Sequence, residues 1–136
     1  MPQFNLHARL EADTFLIGDL PLSRVLLMND SRYPWIVLVP RVDGTTEIHH
    51  LDENDRQQLM KESCLVAEFM EKNFAIDKMN VGVLGNIVPQ LHMHHIGRRK
   101  NDPAWPGPVW GHSAAVPYSQ EQVDSLLPLF RKLIEI

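Results

Sequence analysis

The apolar positions of this chain come in short runs at its start, one long helical stretch in its middle, and further runs near its end. The run 14–20 is short and apolar, bounded by Gly18 and Pro21, and predicts a strand. Residues 24–28 (Arg-Val-Leu-Leu-Met) predict a second strand, ending at the turn-forming cluster Asn29-Asp30-Ser31. Residues 35–39 (Trp-Ile-Val-Leu-Val) are apolar on both faces and closed by Pro40, which predicts a strand central in a sheet. Asp52 and Asp55 mark a helix start. Met60, Cys64, Ala67, Met70 and Phe74 then recur at helical spacing and predict a long helix over 53–73 that buries this face. Residues 78–84 predict a strand, Gly85-Asn86 a turn, and 88–96 a strand that returns beside the previous one as an antiparallel hairpin. The stretch 97–117 is a long loop rich in Pro, Gly and Trp. Ser119 and Gln122 form a capping box. Val123, Leu126, Phe130, Leu133 and Ile134 follow in an amphipathic C-terminal helix, which Pro128 should kink. This order predicts an α+β fold with an antiparallel sheet.

The totals narrow the setting. A length of 136 residues suits one domain, taken as 1–136, with one sizeable core. The net charge of −4 argues against a general affinity for nucleic acid or an anionic membrane. No apolar run approaches the ~20 residues of a membrane span. Residues 1–7 lack the basic start and apolar stretch of a signal peptide. Cys64 has no second cysteine to pair with, which fits a reducing compartment, and its place on an apolar face predicts a buried thiol. A cytoplasmic protein is expected.

The chemistry concentrates in Pro89-Gln90-Leu91-His92-Met93-His94-His95-Ile96. In a strand, successive side chains alternate between faces, so Gln90, His92 and His94 would share one face and Leu91 and Met93 the other. Two histidines on one face can act as nucleophile and proton donor, hold a metal ion, or simply form a solvated polar face. His95 has the opposite parity and reads as a core histidine.

The stretch 80–98, from Asn80-Val81-Gly82 through the turn at Gly85-Asn86 to Arg98, resembles the signature of the histidine triad (HIT) superfamily. The order and spacing of elements agree over residues 14–100. The resemblance places Gln90, His92 and His94 at the first, second and third triad positions. It implies that His92 attacks the α-phosphorus of a nucleotide to form a nucleotidyl-histidine, from which water releases a nucleoside monophosphate. It gives His94 the task of phosphate binding or leaving-group departure. Phosphoramidates and dinucleoside polyphosphates are the implied substrates, and a homodimer joined through its sheets is the implied assembly. No cofactor and no protein-bound metal are implied, and neither nucleic acid nor membrane is an implied partner. A nucleotide-binding module with little turnover and a metal-dependent hydrolase using His92, His94 and His95 are the rival readings.

Two departures stand out. Gln90 replaces a histidine and cannot titrate. Trp35 falls where many members carry a further histidine on the central strand. The resemblance makes Asn29 and Asp30 candidates for ribose contacts, and Asn80 and Asn86 candidates for phosphate or ribose contacts. Arg98 would stabilise charge on a leaving phosphate. Ordinary turn chemistry accounts equally for Asn29, Asp30 and Asn86. His49 and His50 read as surface residues, and Trp105 and Trp110 as side chains that pin the long loop.

Overall fold

A computed structural model of the chain describes residues 4–135, so Met1 to Gln3 and Ile136 lie outside the described residues. A short helix α1 (Ala8–Asp13) leads directly into β1 (Thr14–Asp19), followed by β2 (Ser23–Met28) and β3 (Trp35–Pro40). A 3-10 turn (Ile48–His50) precedes α2 (Glu53–Asn73); then come β4 (Lys78–Gly82), β5 (Met93–Arg98) and α3 (Gln120–Arg131). The strands form one antiparallel sheet in the order β1-β2-β3-β5-β4. The class is α+β, as the pattern predicted. β3 stands in the middle and is buried along its whole length, because its residues are apolar on both faces. No described helix is long and apolar enough to cross a membrane.

Both faces of the sheet are covered, by different material. On one face Val25, Leu27, Ile36, Leu38 and Met93 pack against Leu59, Val66, Phe69 and Met70 of α2 and Phe130 of α3. On the other, Leu26, Trp35, Val37, Val39 and Ile96 meet Leu10 of α1 and the loop residues Val88, Ala104 and Val109. The side-chain alternation of β3 divides its residues cleanly between these two clusters. Helix α2 begins where expected, with the Asp52 carboxylate accepting from the Asp55 amide at 2.8 Å. α3 carries the capping box of Ser119 and Gln122 and contains Pro128, ending at Arg131.

Three expectations need correction. The buried face of α2 is Leu59, Glu62, Ser63, Val66, Phe69 and Met70, about one position from the predicted stripe. Met60 and Cys64 are exposed. The stripe is displaced because two polar residues belong to it. Glu62 accepts from the amides of Leu22 at 2.8 Å and Ser23 at 3.0 Å, and the Ser63 hydroxyl meets His95. Buried polar groups with partners leave no mark in an apolar pattern. The histidine strand also starts late, at Met93, rather than at residue 88. Pro89 has no N–H to give to a ladder, and the Leu91 amide bonds instead to the carbonyl of Thr45 at 2.9 Å. β4 and β5 pair as predicted, but a ten-residue excursion, 83–92, joins them instead of a tight turn. Helix α1 was not predicted.

Candidate functional site

The register of β3 and β5 places His94 opposite Val37 and Ile96 opposite Trp35. Trp35 and His94 are therefore diagonal neighbours on the loop-covered face, and the Trp35 indole Nε1–H donates to His94 Nδ1 at 3.0 Å. An indole nitrogen can only donate. His94 Nδ1 must therefore accept, so the neutral ring carries its proton on Nε2. His92 lies just before the strand, and its Nδ1 sits 2.7 Å from the carbonyl oxygen of Gln90. A carbonyl can only accept, so Nδ1 of His92 is protonated and Nε2 holds a free lone pair. The two imidazoles meet edge to face with centroids 4.8 Å apart. They carry opposite tautomers, and neither Nε2 has a protein partner among the described residues.

Both residues are nearly covered, each only 6% exposed. His94 is ringed by aromatics: Trp35 at 5.7 Å, Trp110 at 5.5 Å and His92. Burial, with His92 and His95 beside it, pushes His94 down to about 3, so it stays neutral. The adjacent His95 points through the sheet to α2. It is wholly buried, its Nε2 lies 2.8 Å from the Ser63 hydroxyl, and burial pushes it down to about 4. The carbonyls of Ile36 and Met93 face it and offset part of that shift, although its Nδ1 has no partner at hydrogen-bonding geometry. His95 thus cannot join His92 and His94 around one ion, and no group of three or more metal-binding side chains is gathered among the described residues.

His92 and His94 open into a pocket of about 400 Å³. One wall is the excursion Leu84, Gly85, Asn86, Ile87 and Val88, turned by Gly85 at φ +79°. The facing wall comes from the long loop, through Val109, Trp110 and Ser113. Trp110 lies over Gly82, where an added Cβ would stand 2.7 Å from the indole. The glycine of the Asn80-x-Gly82 element is therefore what lets Trp110 close on His94. The remaining side holds Met28, Asp30, Arg32 and, at the rim, Arg9.

The sequence-predicted residues divide into two groups. His92, His94, Asp30 and Asn86 line the pocket. Asn29, Asn80, Gln90 and Arg98 do not, and their side chains are engaged elsewhere. Asn29 accepts from the Tyr118 amide at 2.8 Å, which ties the end of the long loop to β2. The Gln90 amide clasps the N-terminal segment, accepting from the His7 amide at 2.8 Å and donating to the Asn5 carbonyl at 2.9 Å. Arg98 keeps the expected parity with His94 but is buried. Its guanidinium forks onto Asp102 at 2.8 and 2.9 Å and reaches Asn80 at 2.9 Å. That guanidinium holds Asp102 at about 2. Asp102 in turn accepts from the amides of Arg99, Ala104 and Trp105, so it organises the start of the loop that carries Trp110.

Arg32, Arg9 and Trp110 are pocket residues that the sequence reading did not single out as such. Arg32 forms a two-point ion pair with Asp30, at 3.0 and 2.9 Å, and also reaches Ser113. The sequence signal for it is slight: an arginine two residues after an aspartate in a turn. Trp110 packs against Gly82, as a loop pin would, and also forms pocket wall.

Comparisons with known proteins bear on the fold and the family. The HIT domain model matches residues 9–101. No curated protein matches the chain. A histidine triad protein from Marinobacter aquaeolei VT8 is 51% identical, with 98% of each chain covered and a TM-score of 0.95. One from Bradyrhizobium japonicum is 45% identical, covering 98% of this chain and 99% of that one, with a TM-score of 0.93. A third, from Sinorhizobium meliloti 1021, is 43% identical over 95% and 96%, with a TM-score of 0.92. Strand order, the paired imidazoles and these matches together lead to one conclusion: the chain belongs to the HIT domain family.

Proposed function

We propose that this pocket binds a nucleotidyl conjugate and hydrolyses it, or transfers its nucleotidyl group, at the α-phosphorus through an intermediate on His92. The observation that carries this reading is the pair of opposed tautomers. His92 offers a lone pair on Nε2 and His94 an N–H on Nε2, side by side at the pocket floor. Attack by His92 Nε2 on phosphorus leaves the imidazole positively charged, and the Gln90 carbonyl already bonded to Nδ1–H stabilises that charge. His94 Nε2–H steadies a phosphate oxygen. Asp30 faces the ribose hydroxyls, Asn86 supplies an amide to phosphate, and the apolar side chains of Met28, Val88 and Val109 receive the base. Asn29, Asn80, Gln90 and Arg98 act as supports in this reading, because their side chains hold loop and terminus in place. The chemistry needs no protein-bound metal.

A homodimer joined through edge strands is part of the proposal. β4 ends the sheet, and its Val81 side chain is exposed. A reducing, cytoplasmic setting suits the free, exposed Cys64. A binding module with little turnover is the second reading, and the presence of Trp35 where the resemblance expects a histidine favours it.

The test is nucleoside monophosphate release, followed by chromatography, from phosphoramidates, dinucleoside polyphosphates and nucleotide sugars in EDTA. Release by the wild type and its loss by at least about 10³-fold in His92→Ala support covalent catalysis. Tight nucleotide binding with no release from any substrate overturns it in favour of the binding module.

A further inference from the structure

Trp35 limits what His94 can do. Loss of the Nε2 proton from a neutral imidazole would leave an imidazolate unless Nδ1 gained a proton, and the Nδ1 lone pair is occupied by the Trp35 N–H at 3.0 Å. His94 can therefore give a hydrogen bond but not a proton. The other titratable side chains lining the pocket are Arg9, Asp30, Arg32 and His92. His92 is committed with its proton on Nδ1 facing a carbonyl, Asp30 is paired as a carboxylate with Arg32, and guanidiniums are very weak acids. The pocket thus offers no general acid to a departing group. It does offer positive charge, with two guanidiniums set against one carboxylate.

Resting on the function proposed above, we infer that this site selects substrates whose leaving group departs as a stable oxyanion, a phosphate or polyphosphate, over amines that must be protonated to leave. In the first step the His92 Nε2 lone pair forms the bond to phosphorus. The bond from phosphorus to the leaving oxygen breaks, and its electron pair stays on that oxygen. No proton moves. His94 Nε2–H and the guanidiniums of Arg9 and Arg32 meet the developing negative charge. In the second step the oxygen of a water molecule bonds to phosphorus and the P–Nε2 bond breaks. Its electron pair returns to Nε2, and the proton from water passes to solvent. An amine leaving group would need a proton at the moment the P–N bond breaks, and general acid catalysis of that kind is typically worth about 10²–10⁴-fold.

The experiment compares kcat/KM of the full-length protein for adenosine 5′-aryl phosphates of graded phenol acidity, diadenosine triphosphate and the adenosine 5′-phosphoramidate of an alkylamine. The expected result is a steep loss with rising leaving-group pKa, roughly five- to tenfold per unit, and phosphoramidate turnover at least about 10²-fold below that of the triphosphate. Nitrogen NMR of the imidazoles is expected to show His94 as the neutral Nε2–H tautomer at neutral pH. Trp35→His, which replaces a pure donor with a group able to take up a proton, is expected to flatten the series. The wild-type series decides the question even if that variant does not fold. A flat series, with the phosphoramidate as good as the triphosphate and turnover still dependent on His92, overturns the selectivity and leaves the covalent mechanism standing. No turnover of even the most activated aryl ester overturns both.

Discussion

His94 and His95 are consecutive residues of one strand, yet one faces a pocket and the other a closed core. Both are buried, both are held neutral by that burial, and each has one ring nitrogen tied to a hydroxyl or an indole. The difference lies in what covers each face. A 21-residue helix closes over His95 and sets the Ser63 hydroxyl against its Nε2. Loops close over His94, and loops leave a 400 Å³ opening. Burial alone therefore says little about chemical use. What counts is whether the free ring nitrogen meets packed side chains or space. The same contrast divides the arginines. Arg98 is locked between Asp102 and Asn80, whereas Arg32 keeps its guanidinium at the pocket wall while paired to Asp30.

The comparison can be broken from either side. The largest effect is expected at Asp102. Asp102→Asn leaves the buried Arg98 charge without its partner and should cost about 3–5 kcal/mol in denaturant unfolding. Because the Arg98 contact lowers the carboxyl to about 2, this stabilisation is present above the ordinary carboxylate range and is lost as pH falls through about 2. A variant as stable as wild type would show that the loop is organised by other contacts. On the helix face, His95→Ala opens a cavity and strands the Ser63 hydroxyl, at about 2–4 kcal/mol. The folded variant should keep its turnover within a few-fold, and a collapse of kcat would show that the two faces are coupled. Gly82→Ala drives a methyl group into Trp110, at a cost of about 1–3 kcal/mol. Its KM should rise, and an unchanged KM would remove Trp110 from the substrate wall.

The smallest effect belongs to both histidines together. Each has a folded pKa below its unfolded value, at about 3 for His94 and about 4 for His95. Between those values and the ordinary histidine range the unfolded chain binds more protons. Stability is then full above that range and declines as pH falls. On the order of 1 kcal/mol should be lost between pH 7 and 6, measured by urea titration. A stability that rises on acidification over that range would refute the neutral-imidazole description.

Much of this was legible in the chain. β3 announced itself as central because apolar residues fill both of its faces, and α2 began at the aspartate that caps it. The spacing of His92 and His94 put both on one face, and both line the pocket. What stayed hidden has a common physical origin: it depends on partners distant in sequence. Glu62 and Ser63 look like surface residues until the amides of Leu22 and Ser23 and the ring of His95 are placed beside them. Arg98 was expected in the site by strand parity, and parity held, but Asp102 intercepts the guanidinium. Gln90 was expected in line with the histidines, and Pro89 lifts it off the ladder before the strand begins. Arg32 escaped notice because a turn sequence explains itself locally.

The Gln90 clasp bears on how such a site can change over evolutionary time. One amide group serves two backbone partners, the His7 N–H and the Asn5 carbonyl. A histidine at position 90 would carry its donor and acceptor on diverging edges of a ring and could not grip both. Placing a histidine at position 90 would therefore take more than a single substitution. It would release the grip of residue 90 on residues 5–7 and require a new anchor for them. Across related sequences, the residue at position 90 and the segment preceding α1 should be inherited as a matched pair.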